Sequence, residues 1–202
     1  MAYPAQQHER HFTYRDLQTW PDEERWELID GVAYDMSPSP KTRHQLVSSD
    51  LNRQFANFLI GKPCVVFSAP FDVLLPKGNE AIEDIDTVVQ PDLLVVCNRK
   101  KINENNCIGA PDLIIEILSP STTKKDQSEK YALYERAGIR EYWIVDPSQY
   151  SAAVYRLDEN GRYGLPEVYD AQDSVPVGVL EGLSIDLSQV FAILIEENDA
   201  DF

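Results

Sequence analysis

Residues 111–119 read Pro-Asp-Leu-Ile-Ile-Glu-Ile-Leu-Ser, and this short apolar run decides the fold. Its length and its Ile and Leu content predict a strand in the protein core. Because side chains alternate along a strand, Asp112 and Glu116 share one face, and the opposite face is entirely apolar. A buried, ionised carboxylate costs on the order of several kcal/mol unless a metal, a cation or hydrogen bonds compensate it.

A second run with the same anomaly lies just upstream, at residues 90–97, which read Gln-Pro-Asp-Leu-Leu-Val-Val-Cys. Asp92 stands at the entry of this apolar segment, which also predicts a core strand. Two acid-bearing core strands so close in the chain indicate a shared cation site.

The remaining elements predict a mixed α/β (α+β) domain. Helical spacing of apolar residues predicts helices at 42–60 and 125–137, the second ending at Gly138, with shorter helices at 12–20 and 187–195. Apolar runs predict strands at 64–75, 88–97, 112–118 and 141–147, and Asp30-Gly31 and Asn160-Gly161 are typical hairpin turns. The polar residues 76–87 read as a mobile loop. This order gives a central mixed sheet flanked by helices.

The composition fits a single domain over residues 1–202, with a loose polar arm at 1–11 and an acidic tail at 196–202. No apolar stretch is long enough to span a bilayer, and the N-terminus lacks the layout of a signal peptide. We therefore expect a cytoplasmic protein without membrane contact.

Three cysteines, Cys64, Cys97 and Cys107, do not suggest a disulfide set or a metal motif. Cys64 and Cys97 are expected to act as small core residues in strands. Cys107 falls in a polar segment without a neighbour that would activate its thiol.

The net charge of −16 argues against a general nucleic-acid coat protein. The charge is unevenly spread, because residues 99–140 contain eight basic side chains against six acidic ones. A locally basic rim on an acidic body is compatible with binding a phosphate backbone.

Four segments together resemble a known family: 26–31, 90–93, 111–120 and 130–146. The pattern is similar to that of the Uma-type family of restriction-endonuclease-like proteins, within the PD-(D/E)XK nuclease superfamily, over roughly residues 12–195. The resemblance implies a restriction-endonuclease-like core, with metal ligands on adjacent strands.

The resemblance also implies roles for individual residues. Asp92 and Glu116 would bind a divalent metal, Mg²⁺ or Mn²⁺, and a lysine would orient or activate the attacking water. The superfamily lysine would fall at Leu118, which is a departure from the pattern. In this family the following helix is thought to supply it, which makes Lys130 the natural counterpart.

Several further residues have two interpretations each. Asp112 is a third metal ligand or a hydrogen-bond acceptor at the strand start, and Glu27 is another acid of the site or a partner of an arginine. Lys130 is catalytic or forms a surface ion pair with Asp126. His44 contacts phosphate, acts as a weak acid, or lies at a helix surface.

The expected function is a metal-dependent DNA endonuclease that hydrolyses phosphodiester bonds, with double-stranded DNA as the favoured substrate. Cutting both strands takes two sites, which favours a homodimer. Two alternatives stay open: a catalytically degenerate module that uses the nuclease fold for binding or assembly, and a phosphoesterase acting on small nucleotides.

Overall fold

The computed structural model describes residues 10–21, 23–36, 41–119 and 126–199, without the side chains of 126, 127 and 196–199. Within these residues the chain forms thirteen strands in two large sheets and one hairpin. They are β1 Trp26–Ile29, β2 Val32–Asp35, β3 Val65–Ser68, β4 Asp72–Leu74, β5 Val88–Val89, β6 Leu93–Val96, β7 Asn106–Ile108, β8 Leu113–Ile117, β9 Glu141–Asp146, β10 Ser151–Arg156, β11 Glu167–Asp170, β12 Ser174–Pro176 and β13 Ser184–Asp186.

The helices of the described residues are α1 Tyr14–Leu17, α2 Thr42–Leu59, α3 Tyr131–Ala137 and α4 Leu187–Asp199. A π-helical turn, Asp126–Lys130, leads directly into α3. Gly138 ends α3 in the left-handed conformation with φ 79°, as its position predicted. Residues 1–9 of the predicted arm, residues 200–202 of the acidic tail, and the helix start at Lys125 lie outside the described residues.

The strand order is β11-β10-β9-β8-β6-β3 in a six-stranded sheet and β2-β1-β5-β4-β7 in a five-stranded sheet. Both sheets are mixed, because β8 runs parallel to β9 and β4 runs parallel to β7, whereas the other pairs are antiparallel. The predicted α+β class with a mixed sheet and flanking helices is confirmed. A second large sheet was not predicted.

The second sheet arises because two predicted strands are each divided between the sheets. The segment 64–75 forms β3 and then β4, and the segment 88–97 forms β5 and then β6. A proline lies at each division, Pro70 and Pro91, and a proline cannot donate a backbone hydrogen bond to a ladder. At the crossing, the amide of Ala69 donates to the carbonyl of Asp92 at 3.0 Å. Both segments therefore cross from one sheet to the other at the same place.

The six-stranded sheet is covered on both faces. On one face, Val47 and Phe55 of α2 share a core with Ile115 of β8 and Phe191 of α4. On the other, the five-stranded sheet and α3 supply the core that contains Ile114 of β8. Glu116 lies on the same face as Ile114, so its carboxylate points between the six-stranded sheet and α3.

The prediction that Cys64 and Cys97 are separate core residues was wrong, because the two form a disulfide. The physical reason is strand register. Val65 of β3 pairs with Val96 of β6, which places the two cysteines opposite each other at the ends of antiparallel strands. Cys107 is buried in β7 rather than in a polar loop, and burial raises the pKa of its thiol to about 11.

Of two local predictions, the structure confirms a hairpin and shows local structure in a segment predicted as a mobile loop. The hairpin at Asp30-Gly31 is confirmed, with φ of 51° and 75° at the turn and Ile29 paired with Val32. Residues 76–87, predicted as a mobile loop, contain a 3₁₀ turn at Ile82–Asp84 and bury Ile85.

In the described part of the chain, no helix combines the length and the apolar character that crossing a membrane requires.

Candidate functional site

The centre of the site is a buried ion pair between Lys130 and two glutamates. The Nζ atom of Lys130 lies 2.8 Å from Oε1 of Glu116 and 2.9 Å from Oε1 of Glu27. The hydroxyl of Tyr134 donates to Oε1 of Glu116 at 2.7 Å. Lys130 is 2% exposed, Glu116 is 3% exposed and Glu27 is fully buried. The alternative in which Lys130 forms a surface ion pair is thus excluded.

Helical periodicity places Lys130 and Tyr134 together. Lys130 ends the π-helical turn, and Tyr134 follows four residues later in α3, so both side chains reach Glu116. Burial, followed by the charge of Glu116, holds the pKa of the Tyr134 hydroxyl well above its ordinary value. Tyr134 therefore stays protonated and remains a hydrogen-bond donor to the carboxylate.

Glu27 comes from the other sheet. It lies on β1, and its Oε1 accepts a hydrogen bond of 3.0 Å from the backbone amide of Gln90, just after β5. Residues 90–92 connect β5 with β6, so this bond ties Glu27 to the point where the chain enters the six-stranded sheet. The site is assembled from both sheets and α3.

Asp92 is the cross-strand neighbour of Glu116. Leu93 of β6 pairs with Ile115 of β8, and the same antiparallel register places Asp92 opposite Glu116. Oδ2 of Asp92 accepts a hydrogen bond of 2.8 Å from the amide of Ile117 and lies 3.1 Å from Nε2 of His44. The acids of the two predicted strands are therefore neighbours, as the sequence pattern indicated.

The structure does not bring Asp112 to this cluster. It shares a face with Glu116, but four residues along a strand amount to about 13 Å. Its Oδ2 accepts a hydrogen bond of 2.6 Å from the amide of Cys97, and its Oδ1 pairs with Arg140. Asp112 thus acts as the acceptor at the strand start that was its alternative interpretation.

A polar network beside Glu27 had no signal in the sequence. The side-chain amide of Gln90 donates to Oδ1 of Asp72 at 2.8 Å, and its carbonyl oxygen accepts from Arg25 at 2.9 and 3.1 Å. Burial, as the largest cause, raises the pKa of Asp72. Asp72 lies in a segment predicted as one long strand, and the break that turns it toward Gln90 is visible only in three dimensions.

The raised pKa of Asp72 gives a prediction for stability. Folding favours the protonated form, so the stability contribution of this group is present below its ordinary pKa of 3.8 and is lost as pH rises through the folded-state pKa. Asp72→Asn keeps an oxygen acceptor for Gln90 without the charge. We expect a higher urea midpoint than wild type at pH 7 and a difference that shrinks toward pH 4.

Asp158→Asn is the matched control for this measurement. Hydrogen bonds from the backbone amides of residues 162 and 160 lower the pKa of Asp158, so its ionised form is favoured on folding. The control should therefore be less stable than wild type at pH 7. A lower urea midpoint for Asp72→Asn at pH 7 would contradict the prediction.

The donor set of the site suits a hard divalent cation. Carboxylate oxygens of Asp92, Glu116 and Glu27 are the ligand type that Mg²⁺ and Mn²⁺ prefer. Among the residues that the structure describes, no three His, Cys, Asp or Glu side chains are grouped as a metal-ligand set. A cation here would thus take two protein carboxylates, Asp92 and Glu116, and complete its shell with water and substrate oxygens, as Mg²⁺ commonly does.

Known proteins resemble this chain over most of its length. A curated relative, the uncharacterized protein slr1290 of Synechocystis, is 25% identical over 169 residues, which cover 83% of this chain and 84% of the relative. A second, the large ribosomal subunit protein uL10 of Lupinus luteus, is 28% identical over 70% of this chain, but the match spans only 39% of that protein.

A solved structure and a family model agree on the fold and the family. The crystal structure of "a putative nuclease belonging to DUF820" from Anabaena variabilis matches with a TM-score of 0.71 at 22% identity, covering 91% of this chain and 99% of that one. The family model Uma2, "Putative restriction endonuclease", matches residues 13–188. This chain belongs to that restriction-endonuclease-like family.

Proposed function

We propose that this protein is a metal-dependent endonuclease that hydrolyses phosphodiester bonds in DNA, with double-stranded DNA as the favoured substrate. Asp92 and Glu116 would hold Mg²⁺ or Mn²⁺, and Lys130 would act on the attacking water or the phosphate. One observation carries the proposal: Lys130 lies buried between Glu116 and Glu27, and the strand register places Asp92 opposite Glu116.

The carboxylates of this site favour a cation-dependent activity. Glu27 and Glu116 both contact the ammonium of Lys130, at 2.9 and 2.8 Å, and the β6–β8 register places Asp92 opposite Glu116. Buried acidic side chains are costly to keep ionised, and their gathering in one place is typical of functional sites. A divalent ion bound at Asp92 and Glu116 would lower that cost.

The residues of the chain would divide the chemistry between them. A bound divalent ion supplies a water of lowered pKa and neutralises charge on the phosphate. Tyr134 holds Oε1 of Glu116 in place through its hydroxyl. Lys130 contacts the same oxygen, so its ammonium is within reach of any water or phosphate oxygen bound at Glu116. Glu27 holds Lys130 from the second sheet.

DNA as substrate rests on the family and on the local charge. The family model that matches the chain bears the description "Putative restriction endonuclease". Within the basic segment 99–140, Lys130, Arg136 and Arg140 pair with acids of the protein, while Arg99 and Lys100 are exposed. A homodimer and a cytoplasmic location remain predictions.

Cleavage of supercoiled plasmid tests the proposal. We expect nicked and linear products with Mg²⁺ or Mn²⁺, and none after EDTA removes the metal. Asp92→Asn keeps an oxygen acceptor for the amide of Ile117 but removes the ligand charge, so it should cut at least about 10-fold more slowly. The rates are read from agarose gels over time, with linear and single-stranded DNA in parallel.

Two outcomes would contradict the proposal. Cleavage that is equal with and without EDTA would exclude metal dependence. Neither cleavage nor binding of Mn²⁺ would favour the second candidate, a degenerate module that binds through the nuclease fold. One observation favours that candidate: the ammonium of Lys130 lies 2.8 Å from Oε1 of Glu116 and thus already neutralises that carboxylate. Hydrolysis of a small phosphodiester but not of DNA would favour the phosphoesterase.

A further inference from the structure

His44 and Asp92 form a contact that the proposed chemistry has not yet used. His44 lies in the first turn of α2, and its side chain is 11% exposed. Its Nε2 lies 3.1 Å from Oδ2 of Asp92. This is a hydrogen-bond distance, and because an ionised carboxylate can only accept, the imidazole would donate through Nε2, in the neutral as in the charged form. The other ring nitrogen, Nδ1, is buried and has no hydrogen-bond partner within the described structure.

A second donor acts on the same atom. The amide of Ile117 donates to Oδ2 of Asp92 at 2.8 Å. Both contacts therefore end on Oδ2, the hydrogen bond from the neighbouring strand and the 3.1 Å imidazole contact from α2. Two donors from different elements fix the rotation of the carboxylate about its side-chain bond, and Oδ1 is the oxygen that they do not engage.

We propose that His44 is a positioning residue that orients Asp92 so that Oδ1 is presented to a divalent cation. The inference rests on the proposed function, since it assigns the metal to Asp92. Groups that hydrogen-bond to a metal-binding carboxylate reduce its freedom before the metal arrives, and losing one typically costs about 10- to 100-fold in metal affinity or activity. The buried Nδ1 atom without a partner fits this role, because the polar contact that the described structure gives to the ring is then the one between Nε2 and Asp92.

Titration with Mn²⁺ separates positioning from a general loss of structure. His44→Ala should raise the Mn²⁺ concentration for half-maximal cleavage, and the dissociation constant from calorimetry, by about 10-fold or more. The cleavage rate at saturating Mn²⁺ should stay within about threefold of wild type, because His44 does not contact the reacting atoms. His44→Gln places an amide N–H near the position of Nε2 and should restore most of the affinity.

Gln45→Ala, an exposed neighbour on the same helix, controls for changes in α2 and should match wild type. Unchanged Mn²⁺ affinity in His44→Ala, beside a wild type that binds Mn²⁺, would overturn the inference and leave the proposed function intact. Equal losses in His44→Ala and His44→Gln with lowered Tm would also overturn it, since the ring would then serve packing. A wild type that fails to bind Mn²⁺ would overturn both.

Discussion

Replacing Lys130 by methionine is expected to lower the free energy of unfolding by about 3–5 kcal/mol. The methionine fills a similar volume but leaves the carboxylates of Glu27 and Glu116 buried without the ammonium that contacts both at 2.9 and 2.8 Å. Removing one partner of a buried ion pair costs far more than the pair itself contributes, because the remaining charge has no water to solvate it. Urea denaturation measured at pH 7 gives the difference.

Arg136→Met is the matched control for Lys130→Met. Arg136 is also a long cation on α3, and it pairs with Asp30, but its side chain is 47% exposed. An exposed pair contributes at most about 1 kcal/mol. If the loss in Lys130→Met is no larger than that in Arg136→Met, the two glutamates do not depend on Lys130 for compensation. Lys130→Met should also cut DNA at least about 10-fold more slowly, and a variant that folds with wild-type cleavage would exclude its catalytic role.

Glu116→Gln is expected to lower the rate of metal-dependent cleavage by at least about 100-fold, close to 2.7 kcal/mol of barrier. The substitution keeps a side-chain oxygen for the hydroxyl of Tyr134 and the ammonium of Lys130, and Lys130 keeps Glu27 as a counter-ion. Folding should therefore survive, whereas the charge that attracts a divalent ion is lost. Plasmid cleavage at several Mn²⁺ concentrations, beside circular dichroism, measures both effects.

Glu141→Gln serves as the matched control for Glu116→Gln. Glu141 is a fully buried glutamate on β9, the strand that pairs with β8, and it accepts a hydrogen bond of 2.8 Å from the indole of Trp143. It lies opposite Leu113 and on the other face of the sheet, away from Lys130. Cleavage by Glu141→Gln should equal wild type. An equal loss in both variants would show that a buried glutamate matters only for the fold.

Strand alternation made part of the candidate site predictable from the sequence. A carboxylate within an apolar strand is costly enough that its sequence context marked Glu116, and the family resemblance assigned Asp92 as its companion. The structure makes these residues neighbours through the β6–β8 register. Lys130 and Glu27 came from the family resemblance, and no periodicity in the sequence links residues so far apart in the chain.

The predictions that the structure does not support share a physical cause. Each required knowing where a strand begins or with which strand it pairs. Asp112 shares a face with Glu116, but alternation says nothing of distance along the strand. Cys64 and Cys97 meet only because of the register between β3 and β6. Pro70 and Pro91, which divide two strands between the two sheets, are single residues in apolar runs. Each whole run was therefore predicted as one continuous strand. The network of Gln90 and Asp72 follows from that division.

The crossing between the two sheets gives a reason, other than catalysis, for Glu27 and Asp92 to be kept during evolution. Glu27 accepts a hydrogen bond from the backbone amide of Gln90, and Asp92 accepts one from the backbone amide of Ile117. Each acid therefore satisfies a backbone donor near the end of a strand. An unpaired buried amide costs about 1–3 kcal/mol. A descendant that had lost cleavage would still gain stability by keeping both acids. The presence of Glu27 and Asp92 is therefore explained by the stability of the strand crossing as well as by an activity.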